Sequence, residues 1–228
     1  MDKSIHYCAL ADLFEYPDAA YPQRVEAAKR VLDERYPAAS QALGRFLELL
    51  PASDVVAMQE LFVRSFDVQA MTTLDIGYVL FGDDYKRGEL LANLSREHRE
   101  AGNDCGRELA DHLPNLLRLL PKLKDEELVA ELVASILAPA LREMLGEFSA
   151  ERIAKKNESY KKHYKTLIDA PYVSNEAVTL YQFPLQALYE ALKQDFSLLE
   201  TIPSIQASDF LRSLKTENEI EGSVEAAD

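Results

Sequence analysis

The sequence predicts an all-α fold, and three observations carry that prediction. Apolar residues recur at i, i+3, i+4 and i+7 along almost the whole chain, the period of a helix face rather than of a strand. Glycine is scarce, with 8 in 228 residues, and β-type alternation is short wherever it occurs, so a sheet architecture has little to build on. Finally, 47% of the residues are apolar, and the patterning runs on until the C-terminus, enough to bury one sizeable core. A single domain is therefore expected over residues 1–215. From Thr216 onward Glu217, Glu219, Glu221, Glu225 and Asp228 face no positive residue, so 216–228 is expected to be an acidic, disordered tail, dispensable for folding.

The elements follow in order. Ser4 to Phe14 carries Ile5, Cys8, Ala9 and Leu13 on one helical face and stops before Pro17. Pro22 to Glu34 brings Val25, Ala28, Val31 and Leu32 into register, and Pro37 to Leu50 adds Leu43, Phe46, Leu47 and Leu50. Ser53 is expected to cap a helix from Val55 to Phe66 with Val56, Leu61, Phe62 and Phe66 inward. Between Asp67 and Gly77 the period lapses, which reads as a connecting loop. A long helix from Asp125 to Gly146 should kink at Pro139, and Ala150 to Leu167 makes another, with Tyr160, Tyr164 and Leu167 on one side. A last amphipathic segment lies within Pro171 to Phe196, with Leu185, Leu188, Leu192 and Phe196 as its stripe.

The middle of the chain, Tyr78 to Leu123, is the unusual part. Leu90, Leu91, Leu94 and His98 recur at helical spacing, and Gly102-Asn103 supplies left-handed residues to end that helix. A second stripe follows at Leu113, Leu116, Leu117, Leu120 and Leu123, with Asp111 standing where an N-cap is expected and Pro114 in the first turn. Tyr78, Leu80 and Phe81 read most simply as core anchors.

Charge and cysteine usage narrow the function. A formal charge of −14 disfavours nucleic acid as a partner, since phosphate neutralisation needs clustered Lys and Arg. The one basic cluster, Lys155, Lys156, Lys161, Lys162 and Lys165, alternates with Glu158 as a solvated helix face does. Two cysteines, no apolar run of membrane-spanning length and an acidic start point to a cytoplasmic protein without disulfides.

Chemistry is sparse. None of His6, His98, His112 and His163 has Glu three residues earlier, no His-Glu-x-x-His or paired-cysteine zinc pattern exists, and no Gly-rich phosphate loop is present, so neither metal nor cofactor is expected. Glu97, His98, Glu100, Asp104, Cys105, Glu108, Asp111 and His112 are dense enough to raise an acid-base or metal site. A charged face interrupted by a capped turn accounts for them more simply.

Tyr78-Val79-Leu80-Phe81, followed by Glu108-Leu109-Ala110-Asp111-His112-Leu113-Pro114 and Leu116-Leu117-Arg118-Leu119-Leu120, resembles the NarJ/TorD/DmsD family of redox-enzyme maturation chaperones, closest to its nitrate-reductase delta-subunit-like branch. The resemblance is specific over Tyr78 to Leu123 and architectural elsewhere. It implies a helical bundle of the TorD/NarJ type, in the cytoplasm, without catalysis. Such a protein binds the N-terminal or twin-arginine leader peptide of a molybdopterin oxidoreductase catalytic subunit, as in nitrate assimilation, while the molybdenum cofactor is inserted and, for an exported client, before export.

The family's motifs map onto Tyr78, Leu80 and Phe81 and onto Glu108, Asp111 and His112 as the client-peptide site. One position departs: Ala110 stands where the family has proline, which leaves that loop less stiff. An acidic protein suits a basic, partly apolar ligand. Two other classes compete with this reading. One is an all-α metal-dependent enzyme using the Glu97 to His112 cluster, and the other a helical adaptor docking through its acidic tail.

Overall fold

The computed structural model describes residues 4–68, 70–155 and 179–198, and every regular element among them is helical. The chain opens with α1 (Ser4–Ala11), which runs into a 3-10 turn (Asp12–Phe14), then α2 (Tyr21–Leu32), α3 (Pro37–Leu49) and α4 (Val55–Phe66). After a loop come α5 (Ile76–Phe81), α6 (Tyr85–Glu100) and α7 (Leu113–Leu119), the last continued by a 3-10 turn (Leu120–Lys122). α8 (Glu126–Leu132), a π-helical turn (Val133–Leu137) and α9 (Ala138–Glu147) follow without a break, and α10 (Gln182–Phe196) lies near the end of the described chain. α10 packs on α3 and α9, α1 on α7 and α2, and α5 on α9 and α6, around one contiguous core. The expected all-α, single-domain architecture is what these contacts build.

Local chemistry sets the boundaries. Pro22, Pro37 and Pro114 sit at the first or second helical position, where the missing N–H has no intrahelical partner. Asp54, not Ser53, caps α4, its carboxylate accepting the Ala57 N–H at 3.0 Å. Asp125 caps α8 through the N–H groups of Glu127 and Leu128. At the end of α6, Gly102 takes φ +60° and its N–H reaches the Arg99 carbonyl at 3.2 Å, while the Asn103 N–H reaches the His98 carbonyl at 2.8 Å. These two bonds make a Schellman closure, satisfying two carbonyls that the helix end leaves open. The left-handed residue is Gly102; Asn103 keeps a negative φ.

Pro139 acts through the turn ahead of it. Proline cannot donate to the carbonyl four residues back and its ring crowds that carbonyl. The helix absorbs this by widening to a π-turn, in which the Ala138 N–H bonds to Val133 instead. Pro121 ends α7 for the same reason, so the stripe expected to reach Leu123 passes from α-helix to a 3-10 turn at Leu120.

The core is aromatic at its centre. Tyr181, fully buried just before α10, has the rings of Phe46, Phe66 and Phe62 at centroid distances of 5.3, 5.0 and 5.7 Å. Such pairs are worth about 1 kcal/mol each beyond the area they bury.

Several expected faces turn. Cys8 is exposed, because α1 buries Tyr7, Leu10 and Ala11 against α7 and α2. Val56 is 72% exposed, because α4 centres its inward face on Met58, Leu61 and Ser65, the last satisfied by donating to the Leu61 carbonyl. The loop after α4 ends at Asp75 rather than Gly77, since α5 begins at Ile76. The tail 216–228, the lysines beyond Lys155, and Tyr160, Tyr164 and Leu167 lie outside the described residues, as do 171–178 and the side chain of Ile5. Among the described residues, no helix is long and apolar enough to cross a membrane.

Candidate functional site

Two segments far apart in the chain meet at one point. Residues Leu74 to Ile76 lie antiparallel to Asp111 to Leu113, with the Ile76 N–H on the Asp111 carbonyl (3.0 Å) and the Leu113 N–H on the Leu74 carbonyl (2.8 Å), an isolated bridge between Asp75 and His112. This short ladder fixes the start of α5 beside the start of α7. Its side chains make a polar group where the helices converge.

Arg87, on the first turn of α6, is the centre of that group. Its Nη2 donates to Asp75 Oδ2 at 3.0 Å and its Nε to Asp111 Oδ2 at 3.2 Å. Asp75 Oδ1 lies 3.4 Å from His112 Nδ1. The Arg87 guanidinium carbon lies 5.3 Å from the Tyr78 ring centroid, within cation–π range. Asp111 is fully buried, and its Oδ2 also accepts the Gly77 N–H at 3.1 Å while Oδ1 has no hydrogen-bond partner. Burial pushes the Asp111 carboxyl above its ordinary range, against the pull of Arg87. The Asp75 carboxyl is held below that range, first by its hydrogen bond to His112, with Arg87 adding to the effect against desolvation.

Asp111 therefore does not cap α7. His112 occupies that position with φ −65° and ψ 129°, and its side chain makes no capping bond. No such cap is needed in full: Pro114 has no N–H, and that of Leu113 is already taken by Leu74. Freed from capping, Asp111 turns inward to Arg87 and Gly77.

The loop from Gly102 to His112 is tied down by an amide and imidazole chain. His98 Nε2 donates to the Ala110 carbonyl at 3.0 Å, and its Nδ1 accepts from Asn103 Nδ2 at 2.9 Å, which fixes a neutral tautomer. Burial is the main reason the His98 pKa lies below its ordinary value. Asn103 Nδ2 also donates to the Asn115 carbonyl, and Asn115 Nδ2 donates to the carbonyls of Cys105 and Leu109. The Ala110 carbonyl is thus held by His98 within this loop.

The motif residues divide. Tyr78 is 43% exposed and no core anchor, whereas Leu80 and Phe81 are half-buried against the core. Asp111, His112 and Tyr78 come together around Arg87 and Asp75, while Glu108 stands exposed on the loop outside that group. Sequence reading missed Arg87 and Asp75, which belong to no spacing motif. Tyr78 also lines an open groove of ≈ 540 Å³ with Phe66, Met71, Thr72, Val79, Glu143 and Glu147, where α4, α5 and α9 meet.

The dense acidic and histidine stretch does not assemble into one site. His98 points into the loop, Asp111 points to Arg87, and Glu100, Asp104 and Glu108 are exposed. Among the described residues, no three His, Cys, Asp or Glu side chains are placed to hold a metal ion. Cys105 has its thiol pushed up by burial and by Asp104, so it is a poor nucleophile.

No family model matches the chain. Among curated proteins it is similar to the nitrate reductase molybdenum cofactor assembly chaperone NarJ of Escherichia coli strain K12, at 32% identity over 133 residues, 55% of each chain. The same description and figures hold for NarJ of Escherichia coli O157:H7. The chain thus spans about half the length of the curated relatives it matches. This similarity to NarJ, the all-helical fold of the described residues and the meeting of Tyr78, Asp111 and His112 around Arg87 and Asp75 agree with the resemblance to the NarJ/TorD chaperones that the sequence carries.

Proposed function

We propose that the protein is a cytoplasmic, non-enzymatic chaperone for a molybdopterin oxidoreductase. It binds the N-terminal or twin-arginine leader peptide of the catalytic subunit and holds that subunit while the molybdenum cofactor is inserted. The observation that carries the reading is Tyr78, a motif aromatic kept half exposed at the wall of an open groove that also presents Glu143 and Glu147. An amphipathic basic peptide needs that combination of apolar wall and carboxylates. The chain's charge of −14 favours its approach.

Within this reading the six motif residues have different duties. Tyr78 contacts the peptide and His112 flanks it, Leu80 and Phe81 anchor α5 beneath, Glu108 supplies an outer charge, and Asp111 holds the frame from inside. Tyr78→Ala should weaken binding of an arginine-containing N-terminal peptide by about tenfold while moving the melting temperature little, since the ring is half exposed. His112→Ala should weaken it less.

The test is functional replacement. Expressed in Escherichia coli lacking NarJ, the protein should co-purify with the nitrate reductase catalytic subunit and restore its molybdenum content. Deleting the N-terminal peptide of that subunit should abolish co-purification. A reductase that stays free of molybdenum and of the chaperone would count against the proposal.

A further inference from the structure

Arg87 carries more contacts than a surface residue on the first turn of a helix has reason to. Two carboxylates, Asp75 and Asp111, hold its guanidinium in place at 3.0 and 3.2 Å, and it is the Arg87 side chain, only 17% exposed, that lies over the Tyr78 ring. Tyr78 itself sits on a six-residue helix that ends at Gly82 with φ +61°. So short a helix does not hold its own conformation, and a half-exposed tyrosine samples more than one rotamer unless something fixes it. Here the planar cation is fixed by the fold, and the ring rests against it. The entropy of ordering Arg87 is already spent in the free protein, so the ring is set before any ligand arrives.

We infer that Arg87 is a positioning residue for peptide binding: braced by Asp75 and Asp111, it holds the Tyr78 ring in its binding orientation at the groove. This rests on the reading that Tyr78 belongs to the client-peptide site. It adds a residue outside the motifs and a reason for burying Asp111, whose carboxylate reaches the groove only through Arg87. Lysine in place of Arg87 keeps the charge but loses the planar face and the fork that grips two carboxylates.

The experiment is a double-substitution cycle read by calorimetric titration of a synthetic N-terminal peptide of the Escherichia coli nitrate reductase catalytic subunit. Arg87→Lys should weaken binding by about fivefold and Tyr78→Ala by about tenfold, while the double variant should bind no more weakly than Tyr78→Ala alone. Losses that multiply would overturn the inference, because they would mean that Arg87 acts without the ring. A companion readout needs no peptide: the aromatic proton resonances of Tyr78, assigned by comparison with Tyr78→Phe, should move and broaden in Arg87→Lys. Resonances that stay in place would equally overturn it, even if Arg87→Lys lowers the melting temperature. If the native protein does not bind the peptide at all, the reading of the site fails and the role of Arg87 fails with it. That result is distinct from native binding that Arg87→Lys leaves unchanged.

Discussion

Asp111 spends one carboxylate oxygen on two donors and leaves the other without one, an arrangement tolerated in the interior because Arg87 balances its charge. Removing it strands part of that balance. Asp111→Ala should destabilise the protein by about 3 kcal/mol, and Asp111→Asn by less, about 2 kcal/mol, since the amide oxygen can still accept from Gly77 and Arg87 and Asp75 still pairs with Arg87. Urea unfolding of both variants checks this; equal losses would show that charge, rather than hydrogen bonding, dominates.

His98 makes the clearest pH prediction. Its folded pKa lies below 6.5, so the unfolded chain binds the proton first as pH falls. Its contribution is complete above about pH 7 and is lost as pH drops through the depressed folded value. The imidazole resonances of His98 should titrate with a midpoint below 6.5, and the melting temperature should fall as pH drops through that window. In His98→Gln that slope should flatten.

At the scale of elements, α5 can approach Arg87 and Asp111 only because residue 77 is glycine. A Cβ there would lie 2.7 Å from Asp111 Oδ2, 3.1 Å from Leu90 Cδ2 and 3.2 Å from Arg87 Cγ. The nearest of these, the carboxylate, is not free to retreat, since it and the guanidinium hold each other. Gly77→Ala should cost about 2 kcal/mol through overpacking despite alanine's better helix propensity, and should weaken peptide binding as α5 is pushed outward. Chemical denaturation beside the titration described above separates the two effects. Gly102 is required for a different reason: its positive φ closes α6, so the loop that delivers Asp111 and His112 starts in the right direction.

At the scale of the molecule, the two ends of the described chain are joined by one buried carboxylate. Asp195 of α10 accepts from Tyr7 Oη (2.8 Å), Tyr36 Oη (2.7 Å), Arg35 Nη2 (3.0 Å) and His6 Nε2 (2.9 Å). Desolvation opposes the charge, yet the hydrogen bonds from Tyr36 and Tyr7 and the contact with His6 outweigh it and hold the carboxyl below its ordinary range. A depressed carboxylate contributes stability that is present above about pH 4 and is lost as pH falls through the folded value. Asp195→Asn should therefore lower the melting temperature at neutral pH, with the difference from the native protein shrinking toward pH 2. Tyr36→Phe should remove about 2 kcal/mol at neutral pH, the usual worth of a hydrogen bond to a charged acceptor. Thermal melts across that range check both.

What the sequence determined by itself is whatever depends on near neighbours along the chain. The helical class follows from a 3.6-residue period, the helix starts at Pro22, Pro37 and Pro114 from fixed φ and a missing donor, and the end of α6 from Gly102. The stretch Tyr78 to Phe81 and the pair Asp111-His112 were likewise legible, as motifs. What they do to one another was decided only in three dimensions. Asp111 has a cap's spacing, but Arg87 stands 24 residues away, Gly77 lies 34 residues away, and a buried charge goes to the partner that best replaces its lost hydration. Val56 and Cys8 fit an apolar stripe, and turned outward because a short helix has several stripes of similar content and its neighbours choose among them. The Asp195 cluster spans 189 residues and has no pattern at all in the chain, since bringing together groups so distant is the work of the packed core rather than of local preference.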